Sequence, residues 1–290
     1  MELNDSIKGI SYIGRPKSNT AVFVKKKVEY LLDSLYEAEG CMVFAEETID
    51  IPKDLVERHT FVRCRNPQKA YTEYAQKLYD EKTVHDRKRK YTLTAGGYYL
   101  GDNVIIGDDT YIAPGALIGH DVVIGEHSEI CANAVVKNAR IGHHFVLREG
   151  GVVGSDGFTF TKDDEGNWLR TPSMGGVILG DYVEIGTNAC IAQGTADATV
   201  IGDHVKMDAL TYIGHDAQIM SNTEISAGGI VGGYVETGDH VSVGFNASIR
   251  NRLVVADGSK IGMGAVLTKN TDEGTTYIGN PAHEYIKENE

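Results

Sequence analysis

His215 stands in the run Ile213-Gly214-His215-Asp216-Ala217, and Gly233 follows it by eighteen residues. An imidazole with an unperturbed pKa of about 6.5 is mostly neutral at physiological pH and can take a proton from a nucleophile. A backbone N–H that no side chain obstructs can hold a developing oxyanion. Together the two groups suit a reaction that deprotonates a nucleophile and builds negative charge on oxygen. Without a scaffold that makes them neighbours, His215 is only a solvated corner residue.

The scaffold is written in a repeat. Ile213, Ile219, Ile225, Val231, Val243, Ile249, Val255, Ile261 and Leu267 keep one six-residue period, interrupted only by Thr237. Gly follows the marked position at Gly214, Gly232, Gly238, Gly244 and Gly262. A helix repeats its apolar residues every three to four positions, and a half-buried strand every second. A period of six fits a prism of short strands, in which each hexad makes one flat side and sends its aliphatic residue to the axis. Three sides make a coil of eighteen residues, so His215 and Gly233 fall on adjacent rungs about 4.8 Å apart. His215 is expected to point outward from the prism. Asp216 is expected to be solvated rather than to orient His215, because adjacent residues on a strand diverge.

Upstream, the ladder runs through Leu100, Ile106, Ile112, Ile118, Ile124, Ile130 and Val136, slips to Ile141, and continues through Leu147 and Val153. Ser155 to Gly176 breaks the period as a long loop with a polar tip at Lys162 to Asn167. Leu179, Ile185 and Ile191 resume it before a second slip at Gln193 to Thr199. These signals delimit a parallel β-helix over 96–270, after an N-terminal α/β domain over 1–95 and before a tail over 271–290. In the first domain, Ala21 to Val24 and Cys41 to Ala45 suit strands, and Lys26 to Ala38 has helical spacing. Asn66-Pro67 opens a second helix with Ala70, Tyr71, Tyr74, Ala75 and Leu78 along one side. Lys82 to Lys90 is a charged linker, and its basic run from Arg87 is a solvated joint.

A net charge of −13 argues against general binding to nucleic acid or to an anionic membrane. The four cysteines show no metal or redox spacing and are expected to be free thiols of a reducing compartment. No stretch approaches membrane-spanning length, so a cytoplasmic protein is expected. No catalytic metal is expected: His204 and His240 lie two coils apart, and His120, His127, His143 and His144 sit at turns without a third partner. The flat faces of such a solenoid suit closed symmetric association, here about a threefold axis.

Gly154-Ser155-Asp156-Gly157-Phe158-Thr159-Phe160, then Gly166-Asn167-Trp168, Gly180 to Gly186 and Ile213-Gly214-His215 resemble the UDP-3-O-acylglucosamine N-acyltransferases of lipid A biosynthesis, within the hexapeptide-repeat acyltransferases. Ile10 to Lys17 and Asn66-Pro67 resemble that family more weakly. The resemblance implies a left-handed parallel β-helix, a homotrimer and an N-terminal domain that reads a nucleotide sugar. It implies that His215 is the general base and that the Gly233 N–H is the oxyanion donor. The acyl group would come from an acyl-CoA or acyl-carrier-protein thioester, with no bound cofactor and no membrane insertion.

By the same resemblance Tyr12, Arg15, Asn66, Phe158, Phe160, Asp197 and Arg252 are candidate substrate contacts. The family's uracil clamp of aromatic, Asn and aromatic reads Tyr12, Arg15 and Ser18 here, and its Asp-Arg-Gly reads Ala192-Gln193-Gly194. A second family His corresponds to Arg252. The tail Gly279-Asn280-Pro281-Ala282 is similar to acetyl-CoA-dependent sugar acetyltransferases, which favours a short acyl group and makes sugar O- or N-acetylation the alternative reaction. A non-catalytic solenoid is the other alternative.

Overall fold

The computed structural model describes residues 3–86 and 88–284, so Arg87 of the basic run and the end of the charged tail lie outside the described residues. The chain forms two compact units. The first comprises Met1–Lys88, Phe158–Met174 and Thr195–Asp197; the second comprises Arg89–Gly157, Gly175–Gly194 and Ala198–Glu290.

The first unit is built on a parallel sheet of β1 (Gly9–Ile10), β2 (Thr20–Val24), β3 (Met42–Glu46) and β4 (Thr60–Cys64), paired in chain order. Parallel neighbours need crossovers. A 3₁₀ segment, Lys26–Glu37, links β2 to β3, and α1 (Lys53–Arg58) links β3 to β4. Successive β3 residues serve opposite faces: Val43 and Ala45 pack with Leu32, Leu35 and Leu55, while Met42 and Phe44 pack with Tyr71, Tyr74 and Ala75 of α2 (Pro67–Asp86). The expected helix at Lys26 is thus wound more tightly than an α-helix and broken at Val28. Three residues per turn bring Leu32 and Leu35 onto one face, and both are buried.

Two further segments complete this unit. Phe160–Lys162 and Trp168–Arg170 pair antiparallel, so the long loop expected there is a hairpin. Its tip is closed by Asp163, whose Oδ1 accepts the backbone N–H groups of Glu165 and Asn167 at 3.0 and 2.8 Å. Strands of three residues show no period to read.

The second unit is a three-sided parallel β-helix whose strands stack into sheets of eight, ten and ten. The ladder residues all face inward. Ile118, Ile124, Ile130, Val136, Leu147, Val153, Ile185, Ile191, Ile201 and Ile213 belong to one continuous buried core, each contributing about 1.5–3 kcal/mol by leaving water. The slips spare the ladder: Ile124 pairs directly with Ile141, and Leu179 with Ile201, so the irregular residues are carried outside the strands. Thr237 is tolerated at an inward position because its Oγ1 accepts the Met220 N–H at 3.0 Å. Thr276–Ile278 adds a parallel strand beside Lys260–Ile261, and His283–Glu284 folds back antiparallel upon it.

One corner carries a stack that strand periodicity does not reveal. His127, His144, Tyr182 and His204 lie ring upon ring, with centroids 5.0, 4.5 and 4.8 Å apart. Among the described residues, no three His, Cys, Asp or Glu side chains converge as a metal site would require.

Candidate active site

The strand Tyr212–Ile213 pairs in parallel with Ile230–Val231, Ile213 lying against Val231. His215 and Gly233 each follow their strand by two residues and therefore meet on adjacent rungs. A Cβ added to Gly233 would come 3.0 Å from His215 Nε2 and 3.1 Å from its Cε1. The imidazole thus lies along the Gly233 backbone, with Nε2 at the near end.

The other ring nitrogen is held. His215 Nδ1 is 2.8 Å from Asp216 Oδ2, and the Asp216 side chain is only 2% exposed. A carboxylate accepts only, so Nδ1 is the donor in this bond and Nε2 is the ring nitrogen turned toward Gly233. Asp216 is therefore not the solvated residue expected from strand alternation. It sits at the corner with φ of 60°, where the backbone turns left-handed and the alternation rule ends. Its N–H donates to Thr199 Oγ1 at 2.8 Å, and Thr199 is fully buried.

The Gly233 N–H is one of several in the solenoid that meet no side-chain acceptor among the described residues, as are those of Ala227, Phe245 and Met263. At some corners the N–H in this place does donate to a side chain from the next coil: Asp102 to His120 Nδ1, His143 to Asp181 Oδ1, Asp203 to Ser221 Oγ and Asp239 to Asp257 Oδ1. Among the described residues, no such side chain takes the Gly233 N–H. A Cβ on Gly214 would collide with this nitrogen, so glycine there also keeps it open. The result is a backbone donor beside an imidazole nitrogen, the two kinds of group that proton acceptance and oxyanion stabilisation require.

Above this pair the same corner continues through Tyr234 and Arg252, whose φ values of 61° and 63° match that of Asp216. The Tyr234 ring stands edge-on to His215, with centroids 5.1 Å apart, and the Arg252 guanidinium lies 4.0 Å over Tyr234. Below it, Gly157 presses against the imidazole: a Cβ there would come 2.8 Å from His215 Cβ and 3.0 Å from Cγ. Sequence spacing brings Arg252 into this column. It does not reveal Gly157, which arrives through the broken stretch of the repeat.

The remaining candidates lie in the first unit. Arg15 N–H donates to Tyr12 O at 3.0 Å, so the two side chains flank one tight turn, and Tyr12 is half-buried on the core beneath it. Ser18 Oγ accepts the Glu39 N–H at 3.0 Å. Asn66 caps α2 by accepting the Lys69 N–H at 3.2 Å. Asp197 forms an ion pair with Lys17. Phe158, Phe160 and Trp168 make an edge-to-face aromatic group on the hairpin, and Phe158 is 80% exposed. Arg170 lies 4.5 Å over Phe160, and Lys162 lies 4.9 Å over Trp168.

Residues 103–138 match the bacterial transferase hexapeptide model of six repeats. The chain is 42% identical over 138 residues to a UDP-3-O-acylglucosamine N-acyltransferase of Coxiella burnetii, covering 44% of this chain and 40% of that one. It is 38% identical over 130 residues to the enzyme of the same name from Delftia acidovorans, covering 45% and 38% of the two chains. The chain spans about half, or less, of the length of the curated relatives it matches. Among solved structures, the UDP-N-acetylglucosamine O-acyltransferase of Moraxella catarrhalis superposes with a TM-score of 0.60 at 21% identity, over 65% of this chain and 72% of that one. The corresponding acyltransferase of Francisella novicida gives 0.59 at 24%, over 65% and 67%. In fold, then, the second unit is a left-handed parallel β-helix of hexapeptide repeats, and in sequence the chain is similar to the UDP-3-O-acylglucosamine N-acyltransferases.

Proposed function

We propose that the chain transfers an acyl group from a thioester to the amine of a nucleotide-linked amino sugar. The observation that carries this reading is the His215 Nε2 beside an uncapped Gly233 N–H, with Asp216 fixing the tautomer. The amine nitrogen attacks the thioester carbon, His215 takes a proton from nitrogen, and the Gly233 N–H holds the tetrahedral oxyanion. Collapse expels the thiolate, which receives the proton from His215. A solenoid kept only as a scaffold has no use for this pair. The names of the relatives support the acceptor class.

In this reading Tyr12 stacks on the nucleotide base, Arg15 meets a base edge or a phosphate, and Asp197 contacts the acceptor beside Lys17. Asn66 shapes this unit by starting α2. Phe158 and Phe160 contact the acyl group, and Arg252 receives a phosphate of the CoA or carrier-protein donor. The protein works in the cytoplasm as a homotrimer whose acceptor clefts lie between neighbouring copies, with no bound metal or organic cofactor. No helix among the described residues is long and apolar enough to cross a membrane. The experiment is a mass-spectrometric screen of nucleotide amino sugars against acyl-CoA and acyl-carrier-protein donors, with sedimentation in parallel. An amide product from a trimer is expected. Only ester products, or a fully active monomer, would contradict the proposal.

A further inference from the structure

Asp156 immediately precedes the glycine that presses on the His215 ring, placing its Cα about 3.8 Å from that of Gly157. Asp156 is exposed, but its conformation is not left to solvent: Gln193 Nε2 donates to its Oδ1 at 2.9 Å, and Gln193 is only 5% exposed. A buried amide with a fixed donor is an investment in the position of one carboxylate oxygen. Among the described residues no protein donor takes Oδ2, and no Lys, Arg or His pairs with the carboxylate. Gln193 is neutral, so it orients the negative charge without cancelling it. Gly154 cannot be replaced without its Cβ striking the Lys137 carbonyl, which holds the approach of this segment in one path.

We propose that Asp156 is the acceptor-nitrogen site, receiving an N–H of the amino sugar through Oδ2. This rests on the acyl-transfer reading above. The amine reaches the protein largely as an ammonium ion, and a carboxylate on the segment that packs against His215 would gather that form and orient it. One nitrogen proton leaves to solvent water before attack. A second goes to His215 Nε2 as the C–N bond forms and then to the departing thiolate sulfur. Asp156 keeps its hydrogen bond to the remaining N–H throughout and gains no proton, so the step balances. A hydroxyl acceptor would place no cation against Asp156, and this distinction makes the residue a selector of amines over alcohols.

The test compares binding of a nucleotide amino sugar with that of its 2-hydroxyl counterpart by calorimetry, without donor, alongside turnover. The wild-type protein is expected to prefer the amine by roughly ten- to hundred-fold, the range of a hydrogen bond to a charged group. Asp156→Asn should lose that preference, raise the acceptor KM and leave donor KM unchanged. Asp156→Glu should restore part of it. Wild-type acceptor affinity should fall as pH rises through the pKa of the sugar amine, and the Asn variant should show a flat profile. Wild-type turnover with an unchanged amine preference in Asp156→Asn would overturn the Asp156 proposal and leave the acyl-transfer reading standing. A wild-type protein that neither binds nor acylates any nucleotide amino sugar would overturn both.

Discussion

His215 Nδ1 lies 2.8 Å from the carboxylate of its own chain neighbour, Asp216, and the pair is possible because Asp216 occupies a left-handed corner. The first prediction concerns this pair. His215→Ala should lower turnover by roughly two to four orders of magnitude, the usual worth of a positioned base. Asp216→Asn, which keeps the shape and removes the charge, should lose part of that, and the double variant should be no worse than His215→Ala. Strictly additive losses in single-turnover rates would separate the two residues.

Gly233→Ala tests the proposed oxyanion donor. The new methyl would crowd Nε2 and cover the approach to the N–H. Loss of about 10²- to 10³-fold in kcat is expected, with acceptor binding retained. Near-normal kcat in a folded variant would remove this N–H from the mechanism.

Tyr12→Ala should raise the acceptor KM and leave donor saturation alone, because a stacking face is worth about 1–3 kcal/mol per base. Equal activity on the free amino sugar and on its nucleotide would show that this tyrosine reads no base.

The first unit carries its own pH dependence. His59 is buried; the Cys41 N–H donates to its Nδ1 at 3.2 Å, and its Nε2 donates to Leu35 O at 3.1 Å. Burial holds its pKa below the ordinary value of 6.5. The unfolded chain therefore binds the proton more readily. The stabilisation from a neutral His59 is fully present above about pH 6.5 and declines as pH falls toward the lowered folded value. Urea melts from pH 7.5 to 5 should show this slope, and His59→Gln should flatten it; an unchanged slope would assign it to other groups.

Donor length is the last prediction. Phe158 and Trp168 stand largely open on the hairpin, and a short acyl group is expected to turn over best. Each methylene in a buried channel would add about 0.8 kcal/mol of affinity. A series from two to sixteen carbons, on both carriers, decides it; an optimum at ten or more carbons would defeat the short-chain expectation.

The inward ladder was readable because every hexad must present an aliphatic residue to one axis, and even Thr237 keeps its place by hydrogen bonding. The His215–Gly233 pairing follows from the same count. Strand alternation fails for Asp216 because it stands at a corner, where φ of 60° turns a neighbour back instead of away. Gly157 was not legible as a contact of His215: it arrives where the period is broken, and only closure of that segment in space brings it to the ring. The His127–Tyr182 stack was hidden by the slip and the inserted hairpin, which put successive corner rings at unequal separations in the chain.

The rung-by-rung pairing also governs how this protein can vary. His215 meets Gly233 because both sit at the same phase of consecutive coils. Inserting a few residues between them would rotate one partner to another side of the prism, whereas adding a whole coil above Val231 or below Tyr212 would leave the meeting intact. Lineages of such a solenoid are therefore free to lengthen or shorten in steps of a coil, and the His215–Gly233 rung travels unchanged within them like one bead on a string of interchangeable beads.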